Sequence, residues 1–295
     1  GATMLYDVGL GLHYDYDAAV RNDRHLIRIQ PISVPGTQRV IAATLGFDPA
    51  PDRETHFTDF FGNPVTSIAY RGAHKQLDVR LTARIAVDAL PPTDDRSPAL
   101  PELHRQLARI WSLAPDSPQH FLAASPRVPL DPALADYARQ SLAPTATVKA
   151  MAMQLCLAIH HDFAYDSGAT GVDTRPLEAF NLKRGVCQDF SHVMIAGLRG
   201  LGIPAGYVSG FLRTLPPPGQ PRLEGADAMH AWVRVWCGDG MGWVEFDPTN
   251  AMLAGTDHIT IGYGRDYGDI SPIVGVLHTS GDHHAEQSVD VVALP

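Results

Sequence analysis

Residues 5–90 alternate apolar and polar positions in a series of short runs: "MLYDVGLGLHYDYD", "HLIRIQPI", "QRVIAATLGFDP", "NPVTSIAY" and "LDVRLTARIAVDAL". A period of two turns one face of a strand toward a core and the other toward water, so each run reads as a strand. Turn signals such as "SVPG" and "FFGNP" separate them. Several short strands with few helical stretches predict an antiparallel sandwich or barrel. At 91–101, "PPTDDRSPALP", prolines and charges replace the alternation and mark a boundary.

Beyond the boundary the period lengthens. "PELHRQLARIWSL" sets Leu103, Leu107 and Ile110 on one helical face, with Pro101 near its start. "DPALADYARQSL" offers Asp131 as N-cap and Pro132 at the first helical position. "TATVKAMAMQLCLAIHHDF" carries Val148, Met151, Leu155 and Ile159 at helical spacing, with Cys156 on or beside that face as core filling. A polar stretch, "AYDSGATGVDT", leads to "PLEAFNLKRGVC". From there Cys187, Phe190, Val193, Met194 and Leu198 recur at three and four residues, until Gly200, Gly202 and Pro204 stop the helix. "AGYVSGFL", "HAWVRVWC" and "GWVEFDPTN" read as three successive strands. The C-terminal "EQSVDVVALP" alternates again and is a candidate to pair with the N-terminal sheet. The pattern divides the chain into an antiparallel β domain (1–92), a helical connector (93–146), an α+β domain (147–275) and a C-terminal strand (276–295).

Composition narrows the function classes. The 295 residues are 45% hydrophobic, enough for a substantial core. With 23 basic against 32 acidic side chains the net charge is −9, and no basic run occurs. Nucleic acid and anionic membrane, which reward clustered Lys and Arg, are therefore not expected partners. The three cysteines, Cys156, Cys187 and Cys237, cannot all pair, and none lies in a CxxC, which suits a reducing compartment. The opening "GATMLYDVGL" lacks the charged region and apolar core of a secretory signal. No stretch approaches the ~20 apolar residues of a membrane span. A cytoplasmic location is the expectation. No phosphate-binding or dinucleotide glycine motif occurs, since "GLGLHYD" continues wrongly, and no cofactor is expected.

Within "RGVCQDFSH" the question is whether Cys187 is a buried hydrophobe or a reactive thiolate. A cysteine in the first turn of a helix meets unpaired N–H groups and the positive end of the helix dipole, which favour the thiolate over the thiol. Gly185 permits a tight entry and close approach of a substrate backbone. The Cys187 N–H can also serve as an oxyanion donor. A nucleophile needs a base, and the base an orienting partner. "DAMHAWVRVW" places His230 at the start of one strand, and "GWVEFDPTN" places Asp247 at the end of the next. Paired as a hairpin through "CGDGMG", with Gly240 roughly midway, the two strands make His230 and Asp247 neighbours.

These motifs, "GVCQDFSHVMIAGLRGLGIPAGYVSGFL", "DAMHAWVRVW" and "GWVEFDPTN", resemble the core of the bacterial transglutaminase-like superfamily, across residues 147–267. The strand-rich N-terminal region also resembles the β-domain that precedes this core in one bacterial subfamily. The resemblance implies a papain-like fold with a Cys-His-Asp triad: Cys187 as nucleophile, His230 as general base and acid, Asp247 as orienter of the imidazole. It further implies attack of a thiolate on a peptide or carboxamide carbonyl and a thioester that water or an amine resolves. The favoured activity is hydrolysis of an amide or peptide. Acyl transfer to an amine is the alternative, favoured by a dry amine tunnel, and a non-catalytic peptide-binding module is the remaining class.

Other side chains are candidates for the substrate cleft. Gln188 reads as an oxyanion donor or pocket residue, or as a solvent-facing first-turn position. Asp189 suits the helix N-terminus. Tyr165, in the loop before the nucleophile helix, is a candidate lining residue. Trp232 and Trp236 share a strand face with His230 and either shield the site or pack the sheet. In "GYGRDYGDISP" Arg265 and Asp266 are candidates for substrate contact. His192 falls off the nucleophile's face and reads as packing or surface. His278, His283 and His284 lack the spacing or cysteine partners of a zinc site, so no metal is expected.

Overall fold

The computed structural model describes residues 2–143, 145–213, 218–221, 229–276 and 283–295. Six strands open the chain: β1 (Thr3–Val20), β2 (Asp23–Ile27), β3 (Gln38–Asp48), β4 (Arg53–Thr58), β5 (Pro64–Tyr70) and β6 (His74–Asp88). Helices α1 (Leu100–Ala108), α2 (Pro132–Arg139) and α3 (Val148–Asp162) follow. Then come β7 (Ala164–Tyr165), α4 (Pro176–Leu182), β8 (Arg184–Gly185) and α5 (Cys187–Gly200). The remaining strands are β9 (Ala205–Leu212), β10 (Met229–Trp236), β11 (Trp243–Asp247), β12 (Met252–Leu253), β13 (His258–Gly264), β14 (Ile273–Val276) and β15 (His283–Leu294).

The N-terminal unit is two four-stranded antiparallel sheets, ordered β15-β1-β6-β3 and β14-β2-β5-β4. The alternation of β1 sends Tyr6, Val8, Leu10 and Leu12 into the core, where they meet Leu77, Val79, Leu81 and Ile85 of β6. The C-terminal strand β15 pairs with β1 along most of its length, from Tyr16↔His283 to Leu5↔Leu294. The strand β14 pairs with β2, so the chain returns to this unit from Ile273 onward, earlier than the pattern suggested. The pattern also passed over β4, because "RETHFT" is exposed at every position and has no inward face to alternate with.

The second unit is a five-stranded antiparallel sheet, β12-β11-β10-β9-β13, with α5 packed on β9 and β10. Every residue of α5 from Cys187 to Arg199 is buried. Asp131 caps α2 by accepting from Ala133 N–H at 2.8 Å, and Thr147 caps α3 by accepting from Ala150 N–H at 3.2 Å. The helix expected over 101–113 stops at Ala108, and Trp111 and Leu113 beyond it are exposed. The region 93–146 does more than connect, since α2 lies against α5 so closely that a Cβ on Gly197 would meet Ala138 Cβ at 2.9 Å. Among the described residues no helix is long and apolar enough to cross a membrane.

Two buried amides join the units. Gln38 accepts from Thr260 N–H at 2.8 Å and donates back to Thr260 O at 2.8 Å. Asn63 accepts from Tyr263 N–H at 2.9 Å and donates to Tyr263 O at 2.7 Å. Each side chain thus imitates a paired strand along the outer edge of β13 and satisfies backbone groups that burial would otherwise leave unpaired. Gly262 sits between them at a register shift, and a Cβ there would lie 2.2 Å from Asn63 Oδ1. Only glycine lets the amide come that close.

Candidate active site

The start of α5 is built around Asp189. Its carboxylate accepts from Val186 N–H at 2.9 Å and from Thr170 Oγ1 at 2.6 Å, closing the first turn over the entering chain. Burial is the main influence on this carboxyl and raises its pKa, against those two hydrogen bonds. A Cβ on Gly185 would lie 2.5 Å from Asp189 Oδ2, so the glycine makes room for the cap. Cys187 follows in the first turn, at 9% exposure, where its own N–H and that of Gln188 precede the first helical acceptor. Burial, with the Asp247 charge adding, pushes the Cys156 thiol up to about 12, and burial likewise pushes Cys237 up to about 12. Both are core residues.

His230 and Asp247 meet on the five-stranded sheet, though not in the expected register. The β10–β11 ladder pairs Trp236 with Trp243 and Val233 with Phe246, which carries Asp247 opposite Trp232. His230 lies two residues further along on the same face, in the diagonal position. An offset of two preserves the side-chain direction, and the contact forms: His230 Nε2 and Asp247 Oδ2 are 2.8 Å apart, both side chains fully buried. The other ring nitrogen, Nδ1, is buried without a hydrogen-bond partner among the described residues, and Cys187 is among the groups that act on the ring. Burial alone would lower the His230 pKa. The Asp247 carboxylate, by charge and hydrogen bond, and then Cys187 outweigh burial and hold it raised. Burial in turn would raise Asp247, but His230, followed by His258, holds it well below the usual carboxylate range.

His258 is a member of this cluster that the pattern did not reveal. Its Nε2 lies 2.8 Å from the same Asp247 oxygen, and its Nδ1 accepts from Gly255 N–H at 3.1 Å. Because Nδ1 accepts, the proton sits on Nε2 and is donated to Asp247. Asn250 adds its backbone N–H to Oδ1 at 3.1 Å and its amide to Oδ2 at 3.0 Å. A signal was present in "TDHITIGYG", where His258 opens a strand soon after Asp247. Its pairing order, β13 beside β9 and β9 beside β10, is what brings it near His230, and no local pattern reports that order. The donor atoms of His230, Asp247 and His258 lie within 4.8 Å of one another, a span that would admit an ion. The 2.8 Å contacts and the Nε2 proton of His258 instead describe direct hydrogen bonds.

The other sequence candidates divide. Tyr165 pairs in register with Gly185 through β7 and β8 and packs on Phe190, which places it beside the first turn of α5. Gln188 is buried and donates its amide to Val172 O at 2.9 Å, so it anchors the preceding loop and does not face solvent. Trp232 is fully buried: its indole donates to Glu245 at 2.6 Å and its ring lies 5.9 Å from His230 and 5.0 Å from His258. It walls off the histidines from the sheet side. Arg265 is committed to Asp269 through two bonds of 2.8 and 2.9 Å. Asp266 is buried and accepts from Arg127 N–H at 2.9 Å and Gly268 N–H at 2.8 Å. Both shape the loop after β13, and neither has its charge free for a substrate. His192 is buried against Tyr207, at a ring separation of 5.3 Å. Of the C-terminal histidines, His278 and the side chain of His283 lie outside the described residues, and His284 sits exposed beside Glu286.

A cysteine at the buried start of a helix, facing a histidine held by a sheet aspartate, defines a papain-like arrangement, and comparison with known proteins gives the family. Residues 135–248 match the transglutaminase-like superfamily, and residues 6–86 match the bacterial transglutaminase-like N-terminal region. The chain belongs to the transglutaminase-like superfamily. An uncharacterized protein of Mycobacterium tuberculosis is 36% identical over 265 residues, covering 86% of this chain and 82% of that one. One of Mycobacterium leprae is 29% identical over 246 residues, covering 82% of each. A crystal structure described as a "Putative Cysteine Protease from Cytophaga hutchinsonii" shares the fold across the whole chain, with a TM-score of 0.75 at 19% identity, covering 100% of this chain and 92% of that one.

Proposed function

We propose that the protein is a thiol-dependent hydrolase of peptide or carboxamide bonds. The observation that carries this reading is the His230 ring, pinned by Asp247 through Nε2, with its Nδ1 unpartnered among the described residues and Cys187 at the start of α5 acting on the ring. His230 takes the thiol proton, and the Cys187 thiolate attacks the amide carbonyl. A C–S bond forms and the carbonyl electron pair moves to oxygen, where the Cys187 N–H is the candidate donor. The oxyanion collapses, the C–N bond breaks, and the His230 imidazolium passes its proton to the leaving amine. Water then attacks the thioester while His230 accepts its proton, and the C–S bond breaks to release the acid and regenerate the thiol. Asp247 keeps the imidazole in the tautomer and orientation this sequence needs.

Transfer of the acyl group to an amine is the alternative resolution of the same thioester. Mass spectrometry of the intact protein after exposure to candidate peptides and amides tests the reading. The expected result is an acyl adduct on Cys187 that decays in water to free acid. An adduct that persists until an amine is added would favour transfer, and the absence of any adduct across a broad substrate panel would count against enzymatic acyl chemistry.

A further inference from the structure

A cavity of about 240 Å³ opens beside the nucleophile helix, lined by Arg127, Val172, Asp173, Thr174, Arg175 and His192 among others. Two features connect it to the start of α5. His192 follows Cys187 on α5 by five residues, about 7.5 Å along the axis at 1.5 Å per residue. The Val172 carbonyl receives the Gln188 amide, next in sequence to the nucleophile, at 2.9 Å. Tyr207 lies between, packed on the His192 ring and within electrostatic reach of Cys187.

The cavity has a surplus of donors. His192 is 1% exposed, and its Nε2 accepts from Tyr267 N–H at 3.1 Å, which leaves the proton on Nδ1. That Nδ1 has no partner among the described residues, yet it is not sealed from solvent as His230 Nδ1 is. Burial holds His192 neutral, lowering its pKa to about 4, so it donates at neutral pH without adding charge. Arg127 spends one nitrogen on Val172 O and on Asp173, at 2.6 and 3.1 Å, while its guanidinium lies over the Tyr267 ring. Arg175 is exposed and has no ion pair among the described residues. Two guanidinium groups against one carboxylate leave a single positive charge in a chain whose net charge is −9. A singly charged carboxylate matches that balance, and the planar donor forks of arginine suit its two oxygens.

We propose that this cavity is the acyl-side subsite of the Cys187 site and takes a carboxylate-bearing side chain, so that the substrates are peptides or carboxamides with an acidic residue at the acyl position. The assignment rests on Cys187 being the nucleophile. Two peptidyl chloromethyl ketones, identical except for Glu or Gln at the acyl residue, test it through the second-order rate of Cys187 alkylation read by mass spectrometry. The wild type is expected to prefer the Glu reagent by about tenfold or more, the worth of one charge-assisted contact. Arg175→Gln is expected to bring the ratio near one, and Arg175→Glu to invert it. His192→Phe is expected to lower the ratio independently, and thermal melts verify that each variant is folded. Equal rates in the wild type, or a Glu preference that survives both Arg175 substitutions, would overturn the subsite. Iodoacetamide provides the separate control. If it labels wild-type Cys187 no faster than free cysteine, the nucleophile reading fails and the substrate assignment falls with it.

Discussion

Two buried aspartates in this chain each hold a pair of histidines, one in each structural unit. In the β unit, Asp23 lies 2.7 Å from His25 Nε2 and 2.8 Å from His74 Nε2. In the α+β unit, Asp247 lies 2.8 Å from His230 Nε2 and 2.8 Å from His258 Nε2. Side-chain types, burial and distances are nearly the same. The difference is what the far nitrogens meet. His74 Nδ1 donates to Gln76 O at 2.9 Å, and His25 Nδ1 is packed so tightly on Gly275 that a Cβ there would lie 2.6 Å away. Tyr16 and Tyr70 pack against the His74 ring, closing the cluster. In the second cluster His258 is likewise used up by Gly255, but His230 Nδ1 has no hydrogen-bond partner among the described residues, and Cys187 acts on that ring. A buried carboxylate with two imidazoles is structural mortar where both rings are used up, and on the proposed reading it serves chemistry where one nitrogen stays open.

The sharpest way to break the comparison is to remove each aspartate. Asp247→Ala is expected to slow iodoacetamide labelling of Cys187 at pH 7 by about 10²-fold or more, the usual worth of a correctly oriented general base. Asp23→Ala is expected to leave that rate within about twofold in the folded protein. If both substitutions slowed labelling alike, the two clusters would not be distinct in function. Stability reverses the contrast in kind. Asp23→Ala strips the carboxylate from two buried imidazoles and is expected to cost about 3–5 kcal/mol in chemical denaturation, the range for breaking a buried pair. A loss below about 1 kcal/mol would mean the β-unit cluster does not hold its sheets together.

Within the Asp247 cluster His258 is expected to act as a positioning residue. His258→Phe removes one donor from the shared oxygen and is expected to reduce labelling about tenfold, with partial recovery in His258→Gln. No change in rate would reduce His258 to packing. The smallest expected effect is electrostatic. Because His230 is held raised, its contribution to stability is complete below the unfolded histidine value of about 6.5 and is lost as pH climbs through the folded value. Asp247 is held lowered, so its contribution is present above the unfolded value of about 4 and is lost as pH falls. The gap in melting temperature between wild type and His230→Gln is therefore greatest between about pH 4 and 6.5 and narrows above it. A gap that widened toward pH 9 would reverse the assigned charge state.

Much of this arrangement was legible because local patterns carry it. The cap at Asp131, the glycine-entered start at Cys187 and the strands beginning near His230 and ending at Asp247 are each set by a few adjacent residues. The hairpin register was misjudged by two residues, yet the contact survived because side-chain direction depends on parity. What stayed hidden depends on which distant strands become neighbours. His258 reaches Asp247 only through the sheet order, and Arg265 and Asp266 turn inward because Asp269, Arg127 and Gly268 are there to receive them. Two short segments hid for a different reason: β4 buries nothing, and α4 spans only Pro176–Leu182, ending at Lys183 in the left-handed region.

The central claim is that His230 activates Cys187, and the direct measurement is the second-order rate of iodoacetamide labelling at Cys187 at pH 7, in wild type and in His230→Ala. The account predicts that the wild type reacts faster than free cysteine and that His230→Ala loses this advantage while remaining folded. A wild-type rate no greater than that of free cysteine, or an undiminished rate in His230→Ala, would contradict it.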